Sequence, residues 1–311
     1  MMRRKLIIDV DTGSDDALAI MLALQQPDVD VLAITCVFGN SNIDNVCKNT
    51  LRVLDLCCKS DIPVYRGVEK SILTQSEHQF HYGRDGMGDC DWPEPVDTGR
   101  IQSEHAVLAL LRLVNQYAGE ITLVTLGPMT NVALAIRLDP SFGDKLKEVF
   151  VMGGNVEGRG NITRSAEFNF FLDPESADVC LRDLNKMITL IPWEPLDRQV
   201  CFSWKTYDEF THLGTPKSVF VGKIFEKSTK LYRANYHGML PIDLVAMATA
   251  LDNSVVVKTE DVFAEIELSG RLTRGQVIID YRRRLNMAPN IRVIREFDIE
   301  KLTTLTFNML M

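Results

Sequence analysis

The stretch LIIDVDTGSDDALAIML, residues 6–22, contains a short apolar segment, four aspartates within eight positions, and a second apolar segment. The segment KLIIDV (5–10) is rich in β-forming residues and apolar on both faces, which predicts a strand buried on both sides. The segment DDALAIMLALQQ (15–26) combines good helix formers with acids in the first turn, where the helix dipole favours negative charge. A buried strand that leads directly into a helix is typical of α/β proteins.

The rest of the chain continues this alternation of strands and helices. Such a pattern predicts right-handed crossovers and a parallel sheet. We therefore expect an α/β fold with a single open, mostly parallel twisted sheet flanked by helices, in one domain over residues 1–311. The long irregular segment at 68–101 is a candidate active-site flap. Further strands are predicted at 29–39, 62–67, 121–127, 148–154, 186–192, 262–268, 277–281 and 290–297, and further helices at 42–58, 103–118, 129–138, 174–184, 216–232 and 242–251.

The composition excludes several classes of protein. A net charge of -8 and a pI near 5.3 argue against a nucleic-acid binder, which concentrates Lys and Arg. Seven cysteines without a CxxC pair indicate neither a disulfide framework nor a thiolate zinc site, and are typical of a reducing compartment. No apolar run reaches the ~18 residues of a membrane helix, and the N-terminal apolar run is too short for a signal peptide. We expect a soluble, cytoplasmic protein without a membrane partner.

The four aspartates are Asp9 and Asp11 at the strand end, and Asp15 and Asp16 at the helix start. Carboxylates this close repel one another and raise each other's pKa unless a cation lies among them. Oxygen ligands with no His or Cys nearby are those that Ca²⁺ and Mg²⁺ prefer. The alternative is a helix N-cap with one spare acid, but four aspartates exceed what capping needs. The cluster therefore predicts a site for a divalent cation.

A second alternative follows from DVDT at 9–12. This strand end resembles that of haloacid-dehalogenase-type phosphotransferases, in which the first aspartate, here Asp9, would accept a phosphoryl group. A second aspartate pair follows only four residues later, and a clear late metal-binding motif of the GDxxxD type is missing. The phosphotransferase stays a minor alternative.

Other groups follow the ends of the predicted strands. Asn40 follows the second strand, Leu126 ends the strand at 121–127, and Met152 ends the strand at 148–154. Ligands of open α/β sheets bind outside the carboxyl ends of the strands. We expect these residues to converge with the aspartates on one edge of the sheet.

Six motifs occur along the chain. They are DVDTGSDDALAI (9–20), FGN (38–40), TLGPMTNVALA (125–135), VMGG (151–154), GNITRSAEFNFFLDPESA (160–177) and PIDLVA (241–246). In these motifs and their order the sequence resembles the inosine-uridine preferring nucleoside hydrolase family over about residues 5 to 310. The resemblance implies the Rossmann-like nucleoside hydrolase fold, a Ca²⁺-dependent hydrolysis of ribonucleosides to ribose and free base, and a homodimer or homotetramer.

The resemblance also implies roles for residues at the matching positions. Asp11 would be the general base, and Asp9 would support it from behind. The Ca²⁺ ligands would be Asp11, Asp16, the backbone carbonyl of Leu126, and Asp243. The ribose would be bound by Asp15, Asn40, Asn161, Glu167 and Asn169, with Met152 lining its pocket. Glu167 and Asn169 are expected on one side of an extended segment.

The sequence departs from the family beside the last metal-binding residue. Many relatives have a His there that is thought to protonate the departing base, and others have a Trp that stacks on a purine, whereas this chain has Ile242. A nucleoside-binding protein of the same fold with weak catalysis is therefore a second hypothesis, and base preference stays open. Candidate contacts to the leaving group, each of which could equally pack or be solvated, are His237, Tyr232, Tyr236, His81, Tyr82 and Trp92.

Overall fold

The computed structural model describes residues 3–73, 81–92, 94–234 and 236–311. None of the helices within these ranges is long and apolar enough to cross a membrane. The strands are β1 (Arg4–Val10), β2 (Val29–Cys36), β3 (Val64–Arg66), β4 (Ile101–Gln102), β5 (Ile121–Thr125), β6 (Glu148–Met152), β7 (Ile188–Ile191), β8 (Phe202–Ser203), β9 (Gly238–Met239), β10 (Val256–Val262), β11 (Ala264–Ile266), β12 (Val277–Ile279) and β13 (Ile291–Phe297). The helices are α1 (Ser14–Gln25), α2 (Ile43–Leu56), α3 (Ala106–Gln116), α4 (Thr130–Leu138), α5 (Phe168–Leu172), α6 (Pro174–Asp183), α7 (Trp193–Gln199), α8 (Trp204–Thr211), α9 (Pro216–Tyr232), α10 (Ile242–Leu251) and α11 (Ile299–Leu310).

Nine of these strands form one twisted sheet in the order β10-β13-β7-β6-β5-β1-β2-β3-β4. All neighbours are parallel except β10, which pairs antiparallel with β13 at one edge. Successive residues of β1 bury opposite faces: Ile8 joins the core cluster that includes α1, α2 and α10, and Ile7 joins the one that includes α3, α4 and α6. The apolar strands are therefore covered on both sides, and the predicted α/β fold is confirmed.

The C-terminal part of the sheet differs from the prediction. The edge strand is β10, whose residues 257–261 are exposed and partly charged, so that no buried pattern marks it. The segments predicted as strands at 262–268 and 277–281 instead form a separate antiparallel pair, β11 and β12. The prediction also missed α7, α8 and α11. The first two of these flank the cavity described below.

Two helix N-termini meet at the carboxyl edge of the sheet. Helix α1 starts after Gly13, with Asp15 and Asp16 in its first turn, and α10 carries Asp243 in its first turn. The two helices pack against each other. Because each helix dipole favours negative charge at its N-terminus, the fold gathers these three carboxylates at one place.

Candidate active site

A cavity of about 640 Å³ opens at the carboxyl edge of the sheet, where the sequence predicted that polar groups converge. The loops that follow β1, β2, β5 and β6 form its floor, and α9, with the segment 160–169, forms its walls. Fourteen residues singled out from the sequence line it: Asp11, Asp15, Asn40, His81, Tyr82, Leu126, Met152, Asn161, Glu167, Asn169, Tyr232, Tyr236, Ile242 and Asp243.

The aspartates of the floor form a buried acidic cluster. One carboxylate oxygen from each of Asp15, Asp16 and Asp243 lies within 4.8 Å of the other two, and Asp11 lines the same cavity. Burial, and then repulsion from Asp15, raises the pKa of Asp16 to about 8. One oxygen each of Asp15 and Asp16 is buried without a hydrogen-bond partner among the described residues. This all-oxygen cluster could hold a metal ion, which would satisfy those oxygens and offset the repulsion.

Asp11 is fixed in the floor by backbone rather than by other side chains. Its Oδ2 accepts the N–H of Asn40 at 2.7 Å. A Cβ built on Gly39 would lie 2.0 Å from that oxygen, and one on Gly127 would lie 2.9 Å from Oδ1, so neither position has room for a side chain. Burial and the charges of Asp16 and Asp15 raise the pKa of Asp11. A raised pKa makes its carboxylate a better proton acceptor.

Asp9 lies behind the cavity. Its Oδ2 accepts the hydroxyl of Thr35 at 2.5 Å and the Nδ2 amide of Asn131 at 2.9 Å. Asn131 also donates to the carbonyl of Cys36 and accepts the N–H of Val68, so it ties β1 and β2 to the segment after β3. Burial raises the pKa of Asp9 to about 7. Asn131 belongs to the motif at 125–135, but the sequence alone did not assign it a role.

Glu167 is a helix cap and does not lie in the extended segment that the sequence predicted. It precedes α5, and its carboxylate accepts the backbone N–H groups of Asn169 at 2.8 Å, Phe170 at 3.1 Å and Gly154 at 2.7 Å. Burial raises its pKa to about 7. Glu167 and Asn169 still line the same cavity, because both belong to the first turn of this short helix.

The amide of Asn169 links two strand ends. Its Nδ2 donates to the carbonyl of Leu126 at 2.7 Å and to the carbonyl of Met152 at 3.2 Å. A carbonyl oxygen has two lone pairs, so Leu126 can accept this bond and still contact a cation. Asn161 lies at the exposed side of the cavity, where its Oδ1 accepts the N–H of Phe168 at 2.9 Å.

Four aromatic residues that line the same cavity as Ile242 form what we call its roof: His81, Tyr82, Tyr232 and Tyr236. Tyr82 is buried, and burial together with the nearby charge of Asp15 raises the pKa of its hydroxyl. The His81 ring lies 4.6 Å from the Tyr82 ring, and the Tyr232 hydroxyl contacts both nitrogens of His81, Nδ1 at 2.7 Å and also Nε2. Desolvation lowers the pKa of His81 even though its side chain reaches the cavity mouth. The Tyr236 ring packs 5.0 Å from Tyr232 and completes the roof.

Two of the proposed contacts to the leaving group lie elsewhere. His237 is exposed and is not among the residues that line the cavity. Trp92 lies in a separate cleft, where its ring packs 5.6 Å from Phe220 and between the cations of Arg52 and Lys223. Trp92 therefore holds the segment after the roof against α9 and does not face the cavity.

The sequence missed several lining residues, of which most come from α7, α8 and α9 and two come from α5 and β9. They add aromatic surface, and the described lining contains no Lys or Arg. Because α7 and α8 were not predicted, no pattern placed their side chains near the strand ends. The missed residues include Phe168, Trp193, Asp197, Trp204, Phe225, Ser228, Thr229 and Met239.

Comparison with known proteins connects this geometry to a family. The model of the family described as inosine-uridine preferring nucleoside hydrolase matches residues 6–304. The inosine-uridine preferring nucleoside hydrolase of Leishmania major is 34% identical over 302 residues, which cover 96% of this chain and 95% of the relative. The pyrimidine-specific ribonucleoside hydrolase RihB of Escherichia coli (strain SE11) is 33% identical over 304 residues, which cover 94% and 92%. The solved structure of an inosine-guanosine nucleoside hydrolase superposes with a TM-score of 0.92 at 32% identity, covering 99% of both chains.

Proposed function

Because the chain belongs to the inosine-uridine preferring nucleoside hydrolase family, we propose that it hydrolyses the N-glycosidic bond of ribonucleosides with a bound Ca²⁺ ion. The products are ribose and the free base. The observation that carries this proposal is the buried acidic cluster beneath a cavity of nucleoside dimensions. The mixed names of the relatives leave the preferred base open.

The proposed ligands of the ion are Asp11, Asp16, the carbonyl of Leu126, and Asp243. The orphaned oxygen of Asp16 and the all-oxygen donor set support a hard cation such as Ca²⁺. Asp15 lies as close to Asp16 and Asp243 as a ligand would, and its own orphaned oxygen is available to a ribose hydroxyl. When bound, the ion lowers the pKa of a coordinated water and neutralises the carboxylates.

In the proposed mechanism Asp11 removes the proton from the attacking water. The departing base leaves a sugar with oxocarbenium character, which nearby acceptors and carboxylates stabilise. The acidic lining also favours a neutral nucleoside over a phosphorylated one. The ribose is held by Asp15, Asn40, Asn161, Glu167 and Asn169, with Met152 against the sugar.

The roof provides the proposed contacts to the base. Ile242 can neither donate a proton nor stack. His81 is the proposed proton donor to the departing base. Because the Tyr232 hydroxyl contacts both nitrogens of its ring, the ring must turn away from Tyr232 to donate. Tyr82 and Tyr236 supply aromatic surface. His81 and Tyr82 of the roof belong to the segment 68–101, which we propose as a flap; residues 74–80 and 93 of that segment lie outside the described residues.

The decisive experiment is a panel of purine and pyrimidine ribonucleosides assayed for reducing sugar, with and without a chelator. We expect ribose release that the chelator abolishes and Ca²⁺ restores. Asp11→Asn should release no ribose, whereas Asp173→Asn, which alters a buried carboxylate outside the cavity, should remain active. Near-normal turnover by Asp11→Asn would overturn the assignment.

Ile242 favours one alternative, a nucleoside-binding protein with weak catalysis. Tight nucleoside binding without base release over long incubation would support that alternative. A phosphotransferase would instead release phosphate from sugar phosphates and be labelled at Asp9, where Thr35 and Asn131 already occupy one carboxylate oxygen. We further propose a cytoplasmic homodimer or homotetramer, which light scattering of the purified protein tests.

A further inference from the structure

Glu194 is a buried carboxylate to which the proposed mechanism gives no role. It lies in the first turn of α7 and is 1% exposed. Its Oε2 accepts the N–H of Val156 at 2.9 Å, and its Oε1 accepts those of Glu157 at 2.7 Å and Arg159 at 3.3 Å. Because three backbone N–H groups converge on this one side chain, it holds the backbone over residues 156–159.

The segment that Glu194 holds is the first half of the 153–167 loop, which connects β6 to α5. Helix α7 fastens the same half at two other points. The N–H of Trp193 donates to the carbonyl of Gly154 at 3.0 Å, and Arg198 pairs with Glu157 through contacts of 2.6 and 2.7 Å. At the loop's far end, the carboxylate of Glu167 accepts the N–H of Gly154 at 2.7 Å, so the two ends of the loop are joined to each other.

Asn161 belongs to this loop and lines the cavity. It follows Gly160, where a Cβ would lie 2.2 Å from the carbonyl oxygen of Ala166, so the turn is tight. Its Oδ1 accepts the N–H of Phe168, which directs the two Nδ2 hydrogens to other acceptors. The location of this amide therefore depends on the backbone immediately before it, which Glu194 holds.

We propose that Glu194 is a positioning residue for ribose binding. Its carboxylate holds residues 156–159 in the conformation that places the Asn161 amide against the sugar. The inference rests on the proposed function, because it assigns Asn161 to the ribose. Its hydrogen-bond partners among the described residues are backbone groups of Val156, Glu157 and Arg159, and none of these is a proposed ligand of the ion or the ribose.

The test is Glu194→Gln, which keeps the shape of the side chain but replaces one accepting oxygen with an NH₂ group. We expect KM for nucleosides to rise roughly tenfold, since a hydrogen bond to a charged group contributes about 1.5 kcal/mol or more. The value of kcat should change little, because a ribose contact acts in the ground state and the transition state alike. The amides of Val156 and Glu157 should exchange hydrogen faster. The control is Asp298→Asn, which alters a carboxylate that caps α11 far from the cavity and should leave KM unchanged.

A double-mutant cycle with Asn161→Ala separates positioning from a general structural effect. If Glu194 acts through Asn161, Glu194→Gln raises KM no further in the Asn161→Ala background. Additive effects, or faster exchange with an unchanged KM, would overturn the inference. Should Glu194→Gln be recovered unfolded, Glu194→Asp, which keeps the charge, should show a smaller rise in KM that also vanishes beside Asn161→Ala. If the wild-type protein releases no ribose, the proposed function is refuted. The inference is then tested separately by calorimetry, in which Glu194→Gln should bind ribose more weakly than the wild type.

Discussion

Replacing Asp16 with Asn should have opposite effects on stability with and without a divalent cation. The Gly13 N–H donates to Asp16 Oδ2 at 2.8 Å, and an amide oxygen can keep that bond. The new NH₂ would replace the orphaned oxygen and face Asp15 and Asp243. In chelator, the variant should therefore be more stable than the wild type. In Ca²⁺ it should be less stable, because it lacks a proposed ligand.

The size of the effect follows from the pKa of Asp16, which rises from 3.8 to about 8. At pH 7, about three units at roughly 1.4 kcal/mol each amount to about 4 kcal/mol. Burial is the largest cause of this shift and the repulsion is shared with the neighbouring carboxylates, so we expect about 2 kcal/mol in chelator, or roughly 3 °C in Tm for a chain of this length. A cation at 100 times its Kd stabilises the wild type by about 2.7 kcal/mol.

The assay is thermal unfolding of both proteins in chelator and across a Ca²⁺ titration. Asp173→Asn is the control, because it alters a buried carboxylate that accepts Thr130 and Ser176 outside the cluster, and its effect should be equal in both buffers. The reasoning is refuted if Asp16→Asn is the less stable protein in chelator. It is equally refuted if both proteins gain the same Tm from Ca²⁺.

Three further predictions concern single residues. Asp243→Ala should weaken Ca²⁺ and ribose binding together in calorimetry, and an unchanged Ca²⁺ affinity would contradict its role as a ligand. Glu167 has a pKa raised from 4.5 to about 7 by burial, so its contribution makes the wild type most stable below pH 4.5 and less stable as the pH rises to 7, by up to about 3 kcal/mol. Denaturant unfolding at pH 4.5 and 7.5 should show a smaller change in the free energy of unfolding for Glu167→Gln than for the wild type. An equal change in the two proteins would refute the prediction. His81→Ala should lower kcat for inosine or uridine at least tenfold but spare p-nitrophenyl riboside, whose leaving group needs no proton, and equal losses on both substrates would exclude His81 as a donor to the base.

The sequence predicted the parts of the molecule that have a local pattern. Strand β1 is apolar on both faces, and α9 and α10 begin and end where their periodicity predicted. Helix α7 was missed because WEPLDRQ has a proline in its first turn, where a helix tolerates it but a sequence reading suggests a turn. Strand β10 was missed because its charged residues are those of an exposed edge.

The floor of the site followed from a general rule, whereas the roof residues could be nominated singly but their contacts with one another could not be predicted. Strand ends converge by a general rule of parallel sheets, which brought Asn40 and Met152 to Asp11. The contact between His81 and Tyr232 joins residues 151 positions apart, and no periodicity relates them. The exclusion of Trp92 from the cavity depends on the packing of Phe220 and two cations, which only the folded chain shows.

The glycines around Asp11 divide the site into positions of very different mutational tolerance. At Gly39 and Gly127 even a methyl group would collide with the carboxylate of Asp11, so we expect substitutions at these two positions to displace that side chain. His81, Tyr232 and Tyr236 are at least partly exposed and can be exchanged without disturbing the floor. Selection for a new base can therefore sample the roof while Asp11 and the acidic cluster are inherited unchanged.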